Sequence, residues 1–202
     1  TVGVENLSTT FAGVIEGTGS LVKEGRGVLT LSGDNTYNNE GTRINQGTLK
    51  ISSDKNLGGF GSIDFFGGTL ETSQSMTINR DVLLLEKSGT FDIDEGTTTT
   101  LAKPISGNGN VPLVKTGKGT LILGFSGNPY TGGTVINEGI LSINAINKLG
   151  TTDKGLISFD GGILETTQSM TITRQFRLYA QGGTIQVTQG NTTTISRGID
   201  GI

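Results

Sequence analysis

The stretch GGTLETSQSMTINR at 67–80 returns as GGILETTQSMTITR at 161–174, with 11 of 14 positions identical and an offset of 161 − 67 = 94. A chain that winds one coil repeatedly duplicates strand-like segments in this way, whereas a globular enzyme rarely does. Outward from this pair the duplication spreads over nearly the whole chain. Gly25-Arg26-Gly27 returns as Gly117-Lys118-Gly119 and Ile44-Asn45 as Ile136-Asn137, both at 92, while Gly96 to Thr100 returns at Gly190 to Thr194, at 94. Ile105-Ser106-Gly107, which opens the second copy, is echoed by Ile199-Asp200-Gly201. The expectation is one domain over 1–202, built from two repeats of 92–94 residues at roughly 15–104 and 105–198, with a third repeat beginning at 199 and neither natural end present.

Inside each copy runs a finer beat of Gly followed by alternating apolar residues. It starts at Gly27, Gly47, Gly68 and Gly89, and again at Gly119, Gly139, Gly162 and Gly183, so successive starts within a copy lie 20 to 23 residues apart. Alternation signals strands with one buried face, and Gly marks bends that a Cβ would resist. With 34 Gly and only 3 Pro, the chain reads as all-β. One bend per 20 residues is too sparse for hairpins, but it suits a parallel β-helix whose turns pair with those above and below. The predicted inward residues are Leu29, Leu31, Leu49, Ile51, Leu70, Phe91 and Ile93. Their partners Leu121, Leu123, Leu141, Ile143, Leu164, Ile185 and Val187 are apolar as well.

Composition narrows the function classes. A net charge of −3 argues against a nucleic-acid partner, which would require a clustered basic face. Cys is absent, so stability has to come from stacked turns rather than disulfides. Catalysis by paired carboxylates would draw on Asp92, Asp94 and Glu95, but their second-copy partners are Gln186, Thr188 and Gln189, and the chain has no His. These three read as a solvated acidic face. No enzyme activity, cofactor or metal is expected. GGFGSID at 58–64 reads as a loop, not a calcium repeat. Lys23, Arg26, Lys115 and Lys118 recur in register and read as solvated turns, with contact to an acidic glycan as the other reading. The Thr runs at 97–100 and 192–194 read as strand with a hydroxyl ladder, ahead of a glycan-acceptor role.

Two longer stretches carry a family resemblance. GTLILGFSGNPYTGGTVINEGILSI at 119–143, its partner GVLTLSGDNTYNNEGTRINQGTLKI at 27–51, and the Leu-Gly then Gly-Gly-[TI]-Leu pattern at 149–164 resemble the passenger-domain repeat of bacterial autotransporters. The first copy departs at Asn38-Asn39-Glu40, and the second carries a Gly124-Phe125 insertion and Pro129 in place of Thr36. The resemblance implies a right-handed parallel β-helix of about 8–10 rungs, displayed at the cell surface or secreted by type V secretion. It also implies a parent anchored by an outer-membrane β-barrel. Two function classes follow. One is an adhesin-like display module meeting a host surface protein, matrix or glycan; the other is the non-enzymatic scaffold of a secreted toxin or hydrolase whose active part lies elsewhere.

Copy comparison marks where a partner would bind. Phe66 is matched by Asp160 and Leu83 by Arg177, so both first-copy residues are expected to face solvent, with Leu85 on the same face as Leu83. Val82 and Leu84 are expected to fill the core. Phe66, Leu83, Leu85 and Phe60 are the candidate partner-contact residues, the first three as an exposed face and Phe60 on a loop that could fold over them.

Overall fold

A computed structural model describes residues 1–3, 5–38, 40–107, 109–151 and 155–201. Asn39, where the first copy departs from the repeat, lies outside them. The described residues form strands of three to five residues, joined by bends and two short 3₁₀ turns at Asp54–Leu57 and Ile146–Leu149. Every strand pair is parallel, and each strand pairs with the one a turn earlier or later. The result is a β-solenoid with three sides.

One side is a continuous sheet of ten strands from Thr9–Phe11 to Ile199–Gly201. Ten stacked strands make nine turns, about 21 residues each, since (199 − 9)/9 ≈ 21. At about 4.8 Å between strands the rod is roughly 43 Å long. The chain reaches this second side from a first side of five strands: Leu21–Lys23, Thr42–Ile44, Ile63–Phe65, Val82–Leu84 and Ile105–Gly107. It leaves toward a third side of six strands running from Met76–Ile78 to Thr184–Val187.

The two copies do not occupy the same sides. Leu21–Lys23 lies on the first side, whereas its counterpart Leu113–Thr116 lies on the second. Likewise Val28–Leu31 is on the second side and Thr120–Leu123 on the third. Met76–Ile78 is on the third side, while Met170–Ile172 has moved on to pair with Thr193–Ile195 in a separate two-stranded sheet. A repeat of 92–94 residues in a coil of 21 per turn advances about four and one-third turns, so the second copy is rotated by one side.

Alternation packs the interior as expected. Leu29, Leu31, Leu49, Ile51, Leu70, Phe91 and Ile93 are all buried, as are Leu121, Leu123, Leu141, Ile143 and Leu164. Ile185 and Val187 differ: they lie on the outermost strand of the third side, where no further turn covers them, and Val187 is 38 % exposed. The Gly that opens each strand serves two separate needs. At Gly47 and Gly139 the backbone is left-handed, with φ of 63° and 64°. At Gly68 and Gly162 the need is space, because a Cβ would lie 2.3 and 2.4 Å from the Cγ2 of Ile44 and Ile136. The Thr runs form strands, but their inward hydroxyls bond across the coil rather than along it. Thr72 pairs with Thr99 at 2.7 Å and Thr166 with Thr193 at 2.6 Å.

Candidate functional site

The candidate contact residues sit on the outer surface of the first side. Val82 and Leu84 are fully buried, so Leu83 between them points outward, flanked in register by Asp64 and Ser106. Extending that register by one residue places Phe66 beside Leu85, whose N–H donates to the Phe65 carbonyl at 3.0 Å. Phe66, Leu83 and Leu85 are each half-buried rather than fully open. Arg43 accounts for part of this cover, its guanidinium lying 5.0 Å from the Phe66 ring centre in a cation–π contact. The loop of Phe60 does not fold over Phe66. Phe60 is 74 % exposed, and it borders a hollow next to the groove of Leu83.

That groove, of about 510 Å³, is lined by Gly61, Ser62, Asn79, Arg80, Asp81, Leu83 and Lys103. Arg80 was not singled out from the sequence, yet it shapes the site. It is 7 % exposed; its Nε donates to Asp54 Oδ1 at 3.0 Å and its Nη2 to the Gly58 carbonyl at 2.5 Å, which fixes the start of the Phe60 loop. The signal available was its position: Arg80 ends the duplicated segment and returns as Arg174, which donates to the Gly150 carbonyl at 2.8 Å. A basic residue preserved in both copies beside an interrupted strand pattern marks a loop anchor.

The acidic trio is rearranged by its neighbours. On the outer surface of the second side Lys50, Glu71 and Asp92 stand in register on successive turns. Lys50 hydrogen-bonds Glu71 and lies 3.4 Å from Asp94, and its pKa is raised chiefly by the Glu71 bond. Burial, then the charge of Glu71, raises the Asp92 carboxyl above its usual range. Glu95 faces Lys118 at 3.9 Å on the exposed surface. Asp94 and Glu95 thus engage cations rather than one another, and no group of metal-ligating side chains converges among the described residues.

Lys23 and Lys115 correct the reading of solvated turns. They are 1 % and 0 % exposed and point into the coil. Lys23 Nζ donates to the carbonyls of Glu24, Gly25 and Gln46 at 2.5, 2.7 and 3.2 Å. Lys115 Nζ does the same to Thr116, Gly117 and Glu138 at 2.6, 2.6 and 3.3 Å. Each ammonium gathers the carbonyls of its own bend and of the bend one turn on. Burial lowers both pKa values, that of Lys115 to about 8. A lysine on a short strand reads as outward only if every charge must reach water; here backbone carbonyls replace the water. Neither lysine is available to a glycan, whereas Arg26 and Lys118 are exposed.

The family called passenger-associated-transport-repeat matches the chain twice, at 21–51 and 113–143, which are corresponding parts of the two copies. The chain is also 39 % identical over 144 residues to the adhesin BmaC autotransporter of Brucella suis biovar 1 (strain 1330). The chain carries the repeat found in autotransporter passengers. The match covers 71 % of this passenger segment and 4 % of the Brucella protein, so the segment spans a small fraction of that relative's length. No solved structure matches it significantly. Both matched stretches start at a buried lysine strand and end at the second Gly-led strand after it, so the family pattern contains the carbonyl-binding lysine in each copy.

Proposed function

We propose that this passenger segment is a non-enzymatic, adhesin-like display module, carried at the bacterial cell surface or on a released passenger and contacting a host surface protein, matrix or glycan. The similarity to a protein named as an autotransporter adhesin carries the reading. The solenoid supports it physically: nine parallel turns with a continuous buried core make a stiff rod, which holds outward side chains at set spacings. A parent anchored by an outer-membrane β-barrel is part of the same proposal. Beads coated with the 202-residue chain are expected to adhere to cultured host cells well above beads coated with an unrelated β-solenoid. Equal adhesion of the two would refute the reading.

A further inference from the structure

We propose that the groove beside Leu83, together with the adjoining hollow bordered by Phe60, binds a neutral, hydroxyl-rich saccharide. The proposal rests on the display reading and gives it a ligand class and a place. Four observations carry it. First, Phe60 is 74 % exposed on a glycine-flanked loop, so a flat aromatic face is open to the apolar C–H face of a sugar ring. Second, the side chains of Asn79, Asp81 and Lys103 line the groove and make no hydrogen bond or ion pair among the described residues. An amide, a carboxylate and an ammonium together offer donors and acceptors without partners, and hydroxyls, which both donate and accept, suit all three.

Third, the free charges cancel. Arg80 and Asp54 are paired with each other at 3.0 Å, which leaves one cation, Lys103, and one anion, Asp81. A polyanion would meet Asp81 and a polycation Lys103, so neither gains. Fourth, a peptide has little to bind. The strands Ile63–Phe65 and Val82–Leu84 are paired on both edges, which closes the route of adding a strand, and the large apolar side chains are one in the groove, Leu83, and one at the adjoining hollow, Phe60. The site is preformed, because buried Arg80 ties the Phe60 loop to the groove wall through Asp54 and Gly58.

The second copy serves as an internal control. It has Thr173, Gln175, Arg177 and Arg197 where the first has Asn79, Asp81, Leu83 and Lys103, and its Gln175 side chain is engaged by Asp200. The test is the 202-residue chain on a printed array of neutral oligosaccharides ending in galactose, glucose, mannose or N-acetylglucosamine, beside sialylated and sulfated ones. Binding to neutral members is expected, weakened tenfold or more by Phe60→Ala and by Asp81→Ala and unchanged by Gln175→Ala. Asp81→Ala alters an exposed side chain and decides the matter if Phe60→Ala disturbs the fold. Silence of the neutral members, stronger binding of acidic ones, or variants that bind like wild type would overturn the proposal. Bead adhesion to host cells, measured before and after periodate oxidation of their glycans, separates the two readings. Adhesion that survives oxidation, with a silent array, sinks the saccharide and leaves the display module standing.

Discussion

The two copies share their sequence pattern yet face different ways. The first copy runs its Gly-led strands Val28–Leu31 and Thr48–Ile51 along the second side of the rod, and the second copy runs Thr120–Leu123 and Ile140–Ile143 along the third. Inward contacts survive that rotation because each copy keeps the same partners within a turn and one turn away: Tyr37 bonds Thr42 at 2.6 Å and Tyr130 bonds Thr134 at 2.8 Å, both through hydroxyls, and Lys23 reaches the Gln46 carbonyl as Lys115 reaches that of Glu138. Outward positions also keep their register, Leu83 lying between Asp64 and Ser106 and its partner Arg177 between Ser158 and Asp200, but there the side chains themselves differ. Phe66 lies under Arg43, whereas its partner Asp160 accepts from the Gln181 N–H at 3.1 Å on another side. The core is therefore repeated and the surface is not. In an array of such repeats, equivalent loops would point around the rod in three directions instead of forming one row.

Four measurements can break or sharpen this contrast. The largest effect is expected in the core, where Leu70→Ala and Leu164→Ala should each cost about 2–5 kcal/mol by chemical denaturation, since both side chains are fully buried and leave a cavity. The neighbours Glu71 and Glu165 face outward, and their Ala variants should cost no more than about 1 kcal/mol for a lost surface contact. Unequal losses at the two Leu would show that the copies do not share a core.

Next come the buried lysines. Lys23→Met and Lys115→Met should each destabilise by about 2–3 kcal/mol, because carbonyls bound to an ammonium lose their donor. If either variant is as stable as the wild type, the carbonyl cluster does not need its cation.

The pH profile is a smaller effect with a definite sign. Lys115 sits at about 8 in the folded chain against 10.5 when unfolded, so between those values the unfolded state holds more protons and stability rises with pH. Tyr130 runs the other way: burial raises it to about 12 from 10, so above pH 10 the unfolded state ionises first and stability falls. Denaturation midpoints should climb from pH 8 to 10 and drop beyond it. Lys115→Met should flatten the climb, and an unaltered climb would place its origin elsewhere.

The smallest effect belongs to the surface. Converting Phe66 and Leu83 to the second copy's Asp and Arg should leave stability within about 1 kcal/mol, since the loss is one exposed cation–π contact and Arg at 83 gains Asp64 as a neighbour. Unfolding of this double variant would mean that these side chains belong to the core, and the surface would then be as constrained as the interior.

Much of this architecture was legible from the repeat. Period-two alternation told inward Leu70 from outward Glu71, and Val82 and Leu84 from Leu83, because a pleated strand must alternate its side chains. The buried lysines escaped the same reading, since alternation says that Lys23 and Lys115 point inward while charge says they should not. Three carbonyls brought together by two successive bends resolved that conflict, and carbonyls from a bend one turn away have no signature along the chain. The groove beside Phe60 escaped for a related reason: it draws on loop residues from three separate turns.

The sequence by itself determined the coil and its pitch, the apolar inward residues and the number of turns, because these depend on local alternation and on the interval between Gly-led strands. Tertiary structure alone decided the angular phase of the two copies. Phase accumulates over every residue of four turns, loops included, so one-third of a turn is only about seven residues in a repeat of 92–94. That remainder is invisible in any single motif, and it decides which side of the rod each copy's outward residues occupy, and hence which way a binding face points.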